Sequence, residues 1–462
     1  MNKNEILSLL KDIKSVIKDT EWEKSIFIDG DTMRQIYFDD NITRFGLVVT
    51  KKGYGYYNTF AEWFVSNFLK YENPCAFLKK DSYLDETIIP SKDIPNFEFC
   101  IHPLRKMRTS IFYHTDEMNE EIISHGFTCD GATCCISTGE QSTTFNGFDV
   151  EEDLKNKILR MSCNECFTER PSNILKAAYL VGQYGFKIDK KTWFNMIINS
   201  KYLANMKHAR VKEELTSYMI NILTSENPYN ALMTLFNCGA IKYLFPDLHE
   251  LTSVTNKGDR YNCFVHTALT VMNCPNDLVT RFAALLHDIG KPLSWQNKKC
   301  PSISGGISIR FLGNFSLSQA DKEKICEIVR KQEFIPTECN TVSDRRVKKI
   351  MTSCEGLLNE ILDVAHASLM SHTKINPTLI PNIKERITYL SKLESEKETP
   401  IKPIVDGKEI MKHFNLKASP LIGHFLKEEK EFLKKNPNAT KEEVLEMLKD
   451  KLTYSFACTD SE

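Results

Sequence analysis

Read for the spacing of its apolar and polar positions, the chain changes character near residue 150. Up to that point short apolar runs alternate with turn residues. Ile26-Phe27-Ile28 leads into a turn at Gly30, a polar amphipathic segment follows, and Leu47-Val48-Val49 closes it. That order reads strand, turn, helix, strand. The opening MNKNEILSLLKDIKSVIKD is a charged amphipathic helix, and Tyr54 to Leu69 is aromatic-rich with a partly helical period suited to core packing. Beyond residue 150 the period is helical almost throughout. Ser343-Asp344 offers the cap of one more helix, and SKLESEKETPIKP after Leu390 reads as a charged, Pro-marked linker. The pattern predicts an α+β head over 1–150 followed by a long, mostly α-helical remainder.

Composition narrows the chemistry only slightly. With 462 residues, 42% hydrophobic and 26% charged, the chain has room for several domains. Its 60 Lys and Arg balance 61 Asp and Glu, so any nucleic-acid binding must come from local patches and not from a global basic field. No apolar run approaches bilayer length and no signal peptide is evident, which implies a cytoplasmic protein with no membrane partner. The 15 cysteines are then expected to be mostly reduced. Cys163-x-x-Cys166, near Cys129, Cys134 and Cys135, lacks the second spaced pair of a zinc site and reads as incidental.

The head motifs carry a resemblance. Gly30-Asp31-Thr32-Met33-Arg34-Gln35 after a strand, Ser124-His125-Gly126-Phe127-Thr128-Cys129-Asp130-Gly131, and Glu152-Asp153-Leu154-Lys155-Asn156-Lys157-Ile158-Leu159-Arg160 resemble, in order, three motifs of one family. Glu169-Arg170-Pro171-Ser172-Asn173-Ile174-Leu175-Lys176-Ala177 resembles a fourth. The family is the tRNA nucleotidyltransferases (CCA-adding enzymes) and bacterial poly(A) polymerases. The resemblance implies a nucleotidyltransferase-like head over 1–150 (a mixed sheet with helices), a helical neck and RNA-binding region (151–245), an HD-like helical body (246–392) and a helical tail (393–462), with a nucleotide site at Gly30, Asp31, Arg34, Arg170 and Asn173. It also implies two Mg²⁺-binding aspartates at positions 44 and 46, where this chain has Arg44 and Gly46. Glycine supplies no ligand. A guanidinium about 4 Å from a dication would be repelled by roughly 8 kcal/mol at an effective dielectric of about 20. The motif's next carboxylate has become Gly126 and its amide Asp130, and the base-reading Asp and Arg have become Arg170 and Asn173. An Asp and an Arg at those positions would read a base edge through exocyclic-amine and ring-acceptor contacts.

Further on, Val265-His266-Thr267 and Ala283-Ala284-Leu285-Leu286-His287-Asp288-Ile289-Gly290-Lys291-Pro292 look like an HD-domain metal box. Imidazoles and carboxylates together hold a divalent ion that activates water. The resemblance gives His266, His287 and Asp288 as metal ligands, with Ser368 where a last Asp belongs and Val329-Arg330-Lys331-Gln332 where a His pair can sit. His366 or His372 could replace the missing carboxylate. His208 to Leu215 and Ala231 to Leu248 look like the family's neck and body helices. In the tail, Val405 to Ile410 and Leu416 to Gly423 match the family pattern, implying RNA contact at Lys412, Lys417, Pro420, Gly423 and Lys427.

Three readings follow. The preferred one is a catalytically degenerate member that binds tRNA or another structured RNA without adding nucleotides; a protein partner is the fallback, and no DNA is expected. The second is an active CCA-adding enzyme using displaced carboxylates such as Asp29 and Asp31, with Mg²⁺ as cofactor. The third is an HD-type metal-dependent phosphohydrolase acting on nucleotide or RNA ends, with a divalent metal at the HD box.

Overall fold

The structure is a computed structural model that describes residues 1–50, 56–71, 78–81, 86–94, 97–103, 126–142, 144–145, 148–207, 212–294, 300–336, 341–374, 377–396, 403–436 and 438–457. Two compact units divide it, Met1–Asn382 and Ile383–Glu462.

The first unit opens with helix α1 (Lys3–Ile17), whose N-terminus is closed by a capping box between Asn2 and Glu5. Strand β1 (Ile26–Ile28), helix α2 (Gly30–Tyr37) and strand β2 (Arg44–Val49) follow as the apolar pattern predicts. Helix α3 (Tyr56–Asn67) lies within the aromatic stretch. Strands β3 (Lys79–Asp81), β4 (Glu86–Pro90), β5 (Glu98–Pro103), β6 (Thr133–Cys135) and β7 (Gln141–Ser142) complete a sheet ordered β3-β4-β5-β2-β1-β6-β7. Only β2 and β5 run parallel, so the sheet is mixed. Trp22, Phe45, Phe60, Phe64 and Phe99 fill the core between one sheet face and α1 and α3.

From Val150 the unit is nearly all helix. The Cys263–Asn273, Leu278–Leu286 and Leu358–Met370 helices pack against one another; His266 and His366 lie on them, and His287 and His372 just past the ends of the second and third. Among the described residues, no helix is long and apolar enough to cross a membrane.

The second unit packs the Gly407–Phe414, Pro420–Lys435 and Lys441–Ala457 helices around Val405, Ile410, Phe425, Leu433, Val444 and Leu448. Glu429 is buried in it and accepts from the backbone N–H groups of Ile404 (2.6 Å) and Val405 (2.8 Å). The linker expected after Leu390 is corrected in its first half, because the Leu379–Glu396 helix runs through Ser391 to Glu396. Lys and Glu are good helix formers and no breaker occurs before Pro400. Residues 397–402 lie outside the described residues.

Candidate functional site

The pleat of β2 and β5 builds the floor of the head site. Phe45, Leu47 and Val49 enter the core beside Phe99 and Ile101. Arg44, Gly46, Glu98 and Cys100 therefore share the opposite face. They pair as Arg44 with Glu98 and Gly46 with Cys100. Arg44 Nε lies 3.5 Å from Glu98 Oε1, and its Nη2 donates to Cys100 Sγ at 3.1 Å. At position 46 the room for a side chain is taken, since a Cβ there would fall on the Asp29 carboxylate. Asp29 Oδ1 accepts from Thr32 N at 2.8 Å and caps α2, while Gly46 N donates to Thr32 Oγ1 at 2.9 Å. A magnesium pair needs several carboxylate oxygens converging on open coordination positions. Here one position has no donor, the other is a cation, Glu98 is turned to Arg44, and buried Asp29 serves a helix cap. The residues present do not fit a two-metal centre.

Beside this floor lies a compact charge cluster. Arg34 Nη1 pairs with Asp31 Oδ1 at 2.8 Å and also with Asp130 Oδ1. Lys176 Nζ reaches Asp31 Oδ1 at 2.8 Å and Asp130 Oδ2 at 2.9 Å. Burial works against the Arg34 charge, and Asp31 together with Tyr184 and Cys129 outweighs it, holding the guanidinium above its ordinary range. Gly30 is needed where α2 approaches the Thr128–Asp130 turn, because a Cβ there would meet the Asp130 carbonyl. The N-terminus of α2, with Arg34 and Lys176 beside it, is a natural anion site. Asp31 supplies a carboxylate to it from the chain itself, so an incoming triphosphate would have to displace that carboxylate against its repulsion. Of the expected nucleotide-site residues, Gly30, Asp31 and Arg34 are thus together, and Lys176 and Asp130 join them.

Arg170 and Asn173 lie on the neighbouring turn. Arg170 Nη2 pairs with Glu214 Oε1 at 3.1 Å, and Ser172 Oγ donates to the same oxygen at 2.8 Å. Asn173 Nδ2 donates to the Cys166 carbonyl at 3.0 Å. Its amide fills the space beside Gly126, whose φ of 89° favours glycine. Two departures that sequence treats separately, Gly126 and Asn173, are one packing arrangement. Ser124 and His125 of the same motif, and His208 to Val211 of the neck, lie outside the described residues. Thr128 Oγ1 donates to Asp153 Oδ2 at 2.7 Å and Arg160 Nε to Asp153 Oδ1 at 2.9 Å, which ties the head to the helices after it. Cys166 Sγ donates to the Gly126 carbonyl at 3.1 Å, and burial pushes its thiol up.

In the helical body His266, His287 and Asp288 bring ligand atoms within 4.8 Å of one another. His287 Nε2 lies 3.3 Å and His266 Nε2 3.7 Å from Asp288 Oδ2. Ser368 Oγ stands 3.2 Å from His266 Nε2 and 3.5 Å from His287 Nε2. Lys291 Nζ lies 2.5 Å from both Asp288 Oδ2 and Asn256 Oδ1. Burial tends to raise the Asp288 carboxyl, but His287 and Lys291 outweigh it and hold it well below the usual range. Burial alone would lower the Lys291 ammonium, and Asp288 raises it. Burial also pushes His266 down to about 3. Of the two spare histidines, His372 stacks on His266 with ring centroids 4.5 Å apart, its Nδ1 2.8 Å from Asp259 Oδ2. His366 belongs to neither converging group among the described residues.

In the second unit Lys412, Lys417, Pro420, Gly423 and Lys427 are all exposed, with Pro420 opening its helix after Ser419. Sequence reasoning missed Glu98, Lys176, Glu214, Asp259 and Lys291. Two of these left a signal: Lys291 is three residues after Asp288, and Glu98 follows from strand parity once β5 is paired with β2.

A mixed sheet entered by strand, turn, helix and strand, then a long helical array, defines a nucleotidyltransferase-like architecture. A family model described as "Probable RNA and SrmB- binding site of polymerase A" matches residues 185–252. The chain is 29% identical over 192 residues to the Multifunctional CCA protein of Acinetobacter baumannii, covering 39% of this chain and 44% of that protein. It is 31% identical over 153 residues to the Neisseria gonorrhoeae protein of the same name, covering 31% and 36%. The chain therefore matches less than half the length of these relatives. Among solved structures it is similar to the Thermotoga maritima CCA-adding enzyme complexed with tRNA, at TM-score 0.51 and 17% identity over 97% of this chain and 96% of that one. It is also similar to the Bacillus stearothermophilus CCA-adding enzyme in complex with CTP, at TM-score 0.53 and 15% identity over 97% and 98%. The chain thus has the fold of these CCA-adding enzymes and, over part of its length, is similar in sequence to Multifunctional CCA proteins.

Proposed function

We propose that this protein binds tRNA or another structured RNA and does not add nucleotides to it. The observation that carries the loss of chemistry is the β2 floor, where Arg44 is paired with Glu98 and the Asp29 carboxylate takes the side-chain space of Gly46. The displaced-carboxylate reading is disfavoured by the same contacts, because Asp29 caps α2 and Asp31 is paired with Arg34 and Lys176. RNA binding is supported by the family model over 185–252 and by a surface within that stretch. The Lys190–Asn199 helix and the turn after it leave Phe194 (63%), Ile197 (43%), Ile198 (49%) and Tyr202 (37%) exposed. Lys187, Lys190, Lys191 and Lys201 are exposed around them, and Asp189, whose side chain caps the helix, is the one acid between 187 and 202. Cations beside exposed aromatic faces suit a phosphate backbone with stackable bases. The tail lysines 412, 417 and 427 add exposed charge.

The test is direct. Purified protein is given a tRNA lacking its 3′ end, with CTP, ATP and Mg²⁺, and incorporation and binding are measured in parallel. We expect no incorporation above blank, and binding that weakens steeply with salt. Nucleotide addition overturns the first half of the proposal, and absence of RNA binding at low salt overturns the second.

A further inference from the structure

We propose that the histidine cluster of the helical body is a cation seat held by the chain's own Lys291 ammonium in place of a divalent ion. The inference is independent of RNA binding. His287 Nδ1 lies 2.7 Å from the Ala284 carbonyl, which can only accept, so the proton sits on Nδ1. Nε2 is then the ring atom turned to Asp288 Oδ2, 3.3 Å away, with His266 Nε2 3.7 Å from the same oxygen. A buried carboxylate on which two imidazole nitrogens converge calls for a positive charge beside it. A resident metal would supply it at about 2.0–2.2 Å from each donor. In this fold Lys291 supplies it, bonded at 2.5 Å to the same carboxylate oxygen that faces both imidazoles. Asn256 Oδ1 fixes the ammonium from its other side at 2.5 Å.

The donor set is short on its remaining side as well. Ser368 places a neutral hydroxyl, a poor ligand for a divalent ion, between the two imidazole Nε2 atoms. His372, the nearest further imidazole, has its Nδ1 committed to Asp259, whose other oxygen accepts from Thr373 N at 2.8 Å. A dication on Asp288 Oδ2 would share that oxygen with an ammonium and be repelled by it. Removing the ammonium while keeping the methylene stem should leave His266, His287 and Asp288 as an open three-donor site.

The experiment compares the wild-type chain with Lys291→Met and with Lys291→Met/His287→Ala. Each is stripped with EDTA, loaded with Co²⁺, dialysed, and assayed for bound metal and for its visible ligand-field spectrum, with circular dichroism to verify folding. Wild type is expected to retain well under about 0.2 ion per chain and Lys291→Met about one, with nitrogen and oxygen ligation and no thiolate charge-transfer band. The added His287→Ala change should abolish that gain. Stoichiometric Co²⁺ with the same spectrum in wild type overturns the proposal. So does a folded Lys291→Met that stays metal-free, or a gain that survives His287→Ala. Where Lys291→Met fails to fold, Lys291→Gln is carried through the same assay. tRNA affinity is expected to be equal in wild type and Lys291→Met, which keeps this result separable from the RNA-binding test.

Discussion

Gly46 and Asp29 share one volume, which decides what placing two carboxylates on β2 would require. The obvious reversal, Arg44→Asp with Gly46→Asp, puts a new side chain onto the Asp29 carboxylate. Two carboxylates would then compete for one buried volume, with overpacking and repulsion acting together. Gly46→Asp alone should therefore cost about 3 kcal/mol in urea unfolding. Asp29→Gly should cost only a few tenths, because glycine is a tolerated N-cap. In the Asp29→Gly background the Gly46→Asp change should become markedly cheaper, by about 1–3 kcal/mol of coupling energy. Equal costs in the two backgrounds would show that the residues do not meet. Only the triple change, adding Arg44→Asp, offers β2 two carboxylates without a collision.

The elements were largely legible in the sequence, and the side chains that neutralise the site were not. Strand, turn, helix and strand around Gly30 followed from short apolar runs, because β2 is buried on both faces from Phe45 to Val49 and α2 has a capped start. Parity even places Arg44 and Gly46 on one face. What spacing cannot give is a partner from a distant strand or helix: Glu98 lies 54 positions after Arg44, Lys176 lies 46 after Asp130, and Glu214 lies 44 after Arg170. Those contacts depend on sheet order and helix packing. The linker misreading had a local cause, since a charged Lys/Glu run is as good a helix as it is a linker until proline intervenes.

The Lys190–Asn199 helix is an element whose role can be tested as a unit. Lys190→Glu with Lys191→Glu should weaken tRNA binding and lower the slope of log affinity against log salt by about 1.4–1.8, since each phosphate contact contributes about 0.7–0.9. Phe194→Ala should weaken binding about 5- to 100-fold with the slope unchanged, the signature of lost stacking. Titrations at four salt concentrations separate the two effects. A slope that the double lysine reversal leaves intact would remove this helix from the RNA surface.

Across the whole molecule, charge is managed internally: Arg34 and Lys176 answer Asp31 and Asp130 in the head, and Lys291 answers Asp288 in the body. Such a chain should be sensitive to acid in two separate windows. Burial depresses His266 to about 3 from its ordinary 6.5. The unfolded imidazole therefore takes up a proton as pH falls below about 6.5 while the folded one does not, so acid favours unfolding. The loss should reach about 1.4 kcal/mol per pH unit across roughly pH 6 to 4. Asp288 is depressed below 3.8, so its contribution is present above that value and fades only as pH falls through its lower folded value. The histidine thus acts at milder acidity than the carboxylate. Urea unfolding of the Met1–Asn382 unit within the full chain, followed at a series of pH values from about 7.5 to about 3, should show stability falling from near pH 6.5, and His266→Gln should flatten that fall while leaving the decline below about pH 4 in place. An identical pH profile in the variant would mean that the imidazole is not buried as the neutral form.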